Sequence, residues 1–142
     1  MLYVVDTDVF TLMQRQAQWV VPRLFQRLST VSRNDVCTTI ITFQEQAKGW
    51  LAAVNRVQAE ARLLDAYESM NNMRDALCRM KVLPFDAAAK KEVDELVRQR
   101  SRVGTMDMRI AAITLANQAT LVTRNTQDYE RIPGLNVEDW TV

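Results

Sequence analysis

Four acidic residues, Asp6, Glu45, Asp107 and Asp128, stand just past short apolar runs or at the starts of the stretches that follow them. Asp6 directly follows Leu2-Tyr-Val-Val5, and Glu45 sits one turn into the stretch after Val36–Ile40. Asp107 comes soon after the break at Gly104, and Asp128 follows Leu121–Thr123. A crevice lined by three or four carboxylates suffers mutual repulsion, which hard divalent cations such as Mg²⁺ or Mn²⁺ relieve through oxygen ligation. Metals held this way lower the pKa of a bound water, polarise a phosphoryl group and orient in-line attack. That is nuclease or phosphatase chemistry. The chain contains no histidine, so imidazole cannot serve as a general base. Neither Cys37 nor Cys78 has a base partner visible in the sequence, which excludes cysteine–histidine catalysis.

Each acid also has a plainer explanation. Thr42-Phe-Gln-Glu45 fits a capping box, in which Glu45 serves its own helix start. Asn125-Thr-Gln-Asp128 places an acid three positions after a capping residue, and Asp107 near a helix start complements the helix dipole. Asp6 is the hardest to assign to capping alone, because an apolar strand delivers it directly. The joint pattern carries more than any member. Every strand end on one side of the expected sheet bears an acid except Pro84-Phe85, and there Asp86 follows at once.

The elements that must position these acids alternate along the chain. Strands are expected at Leu2–Val5, Val36–Ile40, Val82–Phe85 and Thr120–Thr123, with an extended piece from Asn136 to Trp140. Pro84 predicts an edge position for the third strand. Helices are expected from about Val9 to Arg15, Trp19 to Leu28 and Phe43 to Val54, followed by a long one from about Gln58 to Met80. Two more are expected, Ala87 to about Gln99 capped by Asp86, and Met108 to Gln118. Strands separated by helices imply an α/β fold: one domain over residues 1–142, three-layer α/β/α, with a central, mainly parallel sheet. Open parallel sheets bind ligands beyond the carboxyl ends of their strands, which is where the acids fall.

Composition sets the outer bounds. With 142 residues, 48% apolar and 25% charged, the chain is globular and large enough for a real core. A formal charge of +1 argues against a broadly basic nucleic-acid coat. Of its 18 cationic residues only Lys48, Lys81, Lys90 and Lys91 are lysines, and arginine suits phosphate and carboxylate pairing better. Met1–Val5 meets Asp6 without a basic n-region, and no apolar run is long enough to span a bilayer. A soluble, reduced, cytoplasmic protein without membrane contact is expected.

These same residues resemble a known family. Leu2-Tyr-Val-Val-Asp6-Thr-Asp8 resembles the opening strand and acid of PIN domains, and Ile40-Ile-Thr-Phe-Gln-Glu45 their helix-borne glutamate. Gly104-Thr-Met-Asp107-Met-Arg-Ile-Ala-Ala112 and Leu121-Val-Thr-Arg-Asn-Thr-Gln-Asp128 through Leu135 look like the closing motifs of VapC-type toxins. The resemblance implies a metal-dependent endoribonuclease, the toxin of a type II toxin–antitoxin pair, cleaving RNA with metal-activated water. It implies that Asp6, Glu45, Asp107 and Asp128 hold Mg²⁺ or Mn²⁺, with Thr123 and Asn125 in support. It also implies an antitoxin partner, a homodimer, and an RNA substrate such as tRNA or another structured RNA. Two departures stand out: Asp8 where asparagine is common, and Arg124 where a neutral polar residue is common.

Two further readings are open at this stage. Val4-Val-Asp6-Thr-Asp8 also fits the opening of haloacid-dehalogenase-like phosphatases with Asp6 as nucleophile, although Lys90 and Lys91 follow no convincing strand. A non-catalytic PIN-like interaction domain is the other. Arg98, Arg100 and Arg102 stand just before Gly104, where they either guide phosphates towards Asp107 or form a solvated helix end. Met70, Met73, Leu77 and Met80 form a stripe on the long helix, read first as core and second as a partner surface.

Overall fold

Alternation along three short strands decides which face each helix covers. The structure, a computed structural model, describes residues 1–16 and 18–142. Strand β1 is Tyr3–Val5, β2 Val36–Thr39, β3 Lys81–Leu83, β4 Thr120–Val122 and β5 Asn136–Glu138. Val4, Cys37 and Leu121 point to one side of the sheet, where they pack with Leu96, Ile110 and Ile113. Their neighbours Val5, Val36 and Val122 point to the other, among Phe10, Leu24, Met73 and Leu77. Successive side chains of a strand face opposite ways, so a strand apolar at every position demands helices on both faces.

Helices α1 (Thr7–Gln14), α2 (Pro22–Ser29) and α4 (Glu60–Cys78) supply one cover; α5 (Ala87–Arg98) and α6 (Thr105–Ala116) supply the other. Helix α3 (Ile40–Arg56) reaches both, with Ile41 in the first cluster and Trp50 against the second. The five strands lie in the order β3-β2-β1-β4-β5, and all four neighbouring pairs are parallel. This is the three-layer α/β/α arrangement expected, with β3 at an edge. The order reverses at β1: the chain first builds outward through β2 and β3, then crosses to β4 and β5. Ligands bind at such a reversal.

Three helices begin earlier than their apolar periodicity suggests, among them α6, which starts at Thr105 rather than Met108. Asp6 and Thr39, each the first residue beyond or at the end of a strand, cap α1 and α3 with their own side chains. Each strand therefore passes into its helix with no intervening loop, and α3 starts at Ile40 rather than Phe43. The expected helix at Trp19 starts instead at Pro22, whose fixed φ suits a first helical position. A short helix, α7 (Thr126–Tyr129), adds an element marked in the sequence only by the capping residue Asn125 and the acid three positions on. Met73 and Leu77 are buried, which assigns the methionine stripe chiefly to the core. No described helix is long and apolar enough to cross a membrane.

Candidate active site

Asp6 leaves β1 at the point of reversal and is tied from two directions. Its Oδ1 accepts from the Val9 amide at 2.9 Å, and its Oδ2 accepts from the Thr123 hydroxyl at 2.5 Å. Thr123 is the first residue beyond β4, and its oxygen also accepts from the Asn125 backbone amide at 3.0 Å. One threonine thus joins the carboxyl ends of the two central strands. Asp6 is only 8% exposed. Burial is the largest influence on its carboxyl and raises the pKa; the Thr123 and Val9 bonds oppose this, while the charges of Asp8 and Asp107 add to it.

Glu45 comes to the same place from α3. The capping box expected at Thr42 does not form. Thr39 caps the helix by accepting from the Thr42 amide at 3.2 Å, so Glu45 is free of that duty. Its Oε1 accepts instead from the Thr7 hydroxyl at 2.6 Å, and Thr7 lies 3.1 Å from the Thr42 hydroxyl. Asp107 stands in the first turn of α6, whose N-cap is Gly104. Beneath it lies Tyr129, 1% exposed, whose hydroxyl meets no partner within hydrogen-bonding geometry. Burial, then the Asp107 carboxylate, push that phenol far above its ordinary pKa and keep it protonated.

Asp6, Asp8, Glu45 and Asp107 line one open cleft of about 640 Å³, together with Thr7, Thr11, Ile110, Arg124 and Asn125. Arg124 grips Asp8 through two bonds, 2.7 Å from Nε and 3.0 Å from an Nη, rather than standing free in solvent. Both partners are about half exposed, and such a pair adds roughly 0–1 kcal/mol. Its effect is to place one cation at the mouth of an anionic cleft. Asp128 departs from the expected set. It does not line this cleft; its Oδ2 accepts from the Asn125 side-chain amide at 2.8 Å, and it lines a separate depression. The helix α7 turns Asp128 outward while burying Tyr129.

The fit of a divalent cation rests on donors and charge. Among the described residues, no three acidic or thiol side chains converge closely enough to encircle an ion by themselves. Mg²⁺ keeps several waters and typically uses one or two carboxylates, so an open cleft of hard oxygen donors suits it. The raised Asp6 pKa includes the repulsion from Asp8 and Asp107 that such a cation relieves. Other chemistries find less support. Lys90 pairs with Asp94 and lines an apolar groove, and no lysine lines the acid cleft. Cys37 is buried, with its thiol pushed up to about 11 by desolvation.

Thr7, Thr42 and Tyr129 join the site without a signal in the sequence. Thr7 is adjacent to Asp6 in the chain, but its partner lies 38 residues away, a pairing no local pattern announces.

Comparison with known proteins adds a separate line. The PIN domain family profile matches residues 3–135. The "tRNA(fMet)-specific endonuclease VapC" of Shigella flexneri is 28% identical over 145 aligned residues, 98% of each chain. "Ribonuclease VapC1" of Haemophilus influenzae strain R2866 is 25% identical over 142 residues, 99% of each. The structure of VapBC-1 from nontypeable Haemophilus influenzae superimposes with a TM-score of 0.78 at 25% identity, covering 100% of both chains.

Proposed function

The chain belongs to the PIN domain family, and from that premise we propose that it is a metal-dependent endoribonuclease, the toxin half of a toxin–antitoxin pair. The observation that carries the reading is the convergence of Asp6, Glu45 and Asp107, from three separate elements, on one cleft where the strand order reverses. The names of the VapC relatives support ribonuclease activity. One or two of Asp6, Glu45 and Asp107, with waters completing the shell, would hold Mg²⁺ or Mn²⁺, with Asp8 at the rim and Asp128 lining the neighbouring depression. When bound, such a cation lowers the pKa of a water and neutralises charge on a phosphate.

The chain's own residues supply orientation. Thr123 and Val9 fix both oxygens of Asp6, and Thr7 fixes Glu45, so the two carboxylates are held before substrate arrives. Preorganised groups of this kind lower the reorganisation required at the moment of reaction. Arg124 at the mouth offers a guanidinium to a phosphate oxygen, and Asn125 offers an amide beside it. RNA is favoured as substrate because the VapC relatives are named as a tRNA-specific endonuclease and a ribonuclease, and single strands and loops are the usual targets of RNA recognition.

A partner has its own surface. An apolar groove of about 900 Å³ runs along α3 and α5, lined among others by Ile40, Phe43, Leu51, Phe85 and Val93. Phe43 and Leu51 are 43% and 57% exposed. Exposed apolar grooves of this kind accept partner helices or strands, and the VapBC-1 neighbour bears the name of a family described as toxin–antitoxin systems. This groove supports an antitoxin, a second copy of the chain, or both.

Purified protein should cleave a loop-containing RNA with Mg²⁺ or Mn²⁺ and lose that activity to excess chelator. Asp6→Ala or Asp107→Ala should remove most of it. Full cleavage in chelator would end the metal-dependent reading, and no cleavage of any RNA would end the nuclease reading.

A further inference from the structure

Beyond the acid cleft, the turn after α5 and the segment around α7 enclose a second depression of about 420 Å³. Arg100, Arg102 and Arg131 line it, with Gln99 and Ser101 at its side and Leu96 and Ile132 as an apolar floor. We propose that this depression is a phosphate-binding subsite for the RNA strand as it passes from the cleft. The inference rests on the ribonuclease reading above.

Three observations carry it. First, the arginines are unclaimed. Five ion pairs occur among the described residues, and they engage Arg27, Arg74, Lys90, Arg98 and Arg124 but none of these three. Arg98, their neighbour in sequence, is taken by Glu95 at 2.6 Å. Second, the local charge is opposite to that of the cleft. The depression's lining has three guanidinium groups and one carboxylate, Asp128, which already accepts from Asn125. The cleft's lining has four carboxylates and one guanidinium. A polyanion threaded to an acidic centre needs cations on its flanking phosphates, and arginine's planar fork binds phosphate through paired bonds. Third, the two sites adjoin. Asn125 lines the cleft, Asp128 lines the depression, and they share a 2.8 Å bond. On the other side, the chain runs from Arg102 through Gly104 into the first turn of α6, which holds Asp107.

Arg100 also provides an unusual control. It closes α5 in the left-handed conformation, φ 57°, with its amide bonded to the Val97 carbonyl and the Ser101 amide to the Leu96 carbonyl. Glycine is favoured at this position. Gln16 and Gln118 take the same conformation, so the backbone itself is no sign of a site. It means that Arg100→Gly removes a guanidinium while relaxing the fold.

The test uses the full chain with Mg²⁺ and a labelled hairpin RNA, following KM and kcat from about 50 to 200 mM salt. Arg100→Gly and the pair Arg102→Gln/Arg131→Gln should each raise KM about three- to tenfold with kcat little changed. The slope of log affinity against log salt should become shallower by about 0.7 for each phosphate that the variant no longer neutralises. Arg100→Gly should melt at or above the parent temperature, so its defect is not unfolding. Arg102→Lys/Arg131→Lys should retain most of the salt slope. A substrate trimmed to the nucleotides flanking the cut should not distinguish parent from variants. Should the parent cleave and Asp107→Ala fail while all three arginine changes leave KM and slope untouched, the subsite is wrong and the nuclease reading stands. Loss of protein-partner binding with unchanged RNA kinetics would likewise overturn it, assigning the depression to a polypeptide. If the parent cleaves no RNA, both readings fall.

Discussion

Asp6 and Asp86 make nearly the same local bond in opposite surroundings. Each follows a strand, each caps the next helix, and each accepts from the amide three residues on, at 2.9 Å and 3.0 Å. Asp86 follows β3 at the sheet edge and is exposed. Asp6 follows β1 at the centre, where strand order reverses, and there the fold adds Thr123, Asp8 and Asp107 around it. Capping and chemistry are therefore not rival explanations of a strand-end aspartate. The cap sets where the carboxylate points; the topology decides whether anything meets it there.

The widest separation between the two positions should appear in catalysis. Asp6→Asn keeps a capping side chain, since asparagine caps about as well as aspartate, yet should cut RNA cleavage at least about a hundredfold, as ligand-shell losses do. Asp86→Asn should leave kcat within about twofold. Equal losses at both positions would erase the distinction.

A smaller effect concerns charge in metal-free protein. The folded pKa of Asp6 is raised, so its contribution favours the native state at low pH and is lost as pH rises through the folded value. In chelator, Asp6→Asn should therefore melt above the parent at neutral pH, and the gap should close as pH falls towards the ordinary carboxylate range. Asp86→Ala should behave differently, losing about 1 kcal/mol of stability with the cap. Denaturant titrations at two pH values compare them directly, and a gap that widens on acidification would reverse the sign argued for Asp6.

The smallest expected effect concerns the buried phenol near Asp107. Tyr129→Phe deletes a buried hydroxyl that lies near the Asp107 carboxylate but outside good hydrogen-bonding geometry, so metal-free stability should hold or rise by about 1 kcal/mol. A loss of that size would mean that the phenol donates to Asp107 in solution.

Much of this is legible in the residues. Apolar runs ending in acids announce the strands, the parallel sheet and the cleft at its carboxyl end, and Pro84 marks β3 as an edge. The helix starts at Thr7 and Ile40 are not legible in the same way. Periodicity reports the buried face of a helix, whereas Asp6 and Thr39 start these helices through single side-chain bonds. Asp128 takes its place for a related reason. Its spacing from Asn125 suits either a ligand or a local bond, and in α7 the side chain makes the local bond to Asn125. The tie between Thr7 and Glu45 and the grip of Arg124 on Asp8 span 38 and 116 residues. Pairings at that range follow from strand order, which the sequence pattern leaves open.

Thermal melting with and without Mg²⁺ tests the central claim most directly, because it needs no knowledge of the RNA. A cation that binds the folded chain stabilises it by mass action, about 2.7 kcal/mol at one hundred times its dissociation constant. The parent and Asp86→Asn should both melt several degrees higher in Mg²⁺ than in chelator, while Asp6→Asn and Asp107→Ala should shift little. A parent that ignores Mg²⁺ and Mn²⁺ alike, or an Asp107→Ala variant that shifts as the parent does, would contradict the assignment of this cleft as a metal-dependent active site.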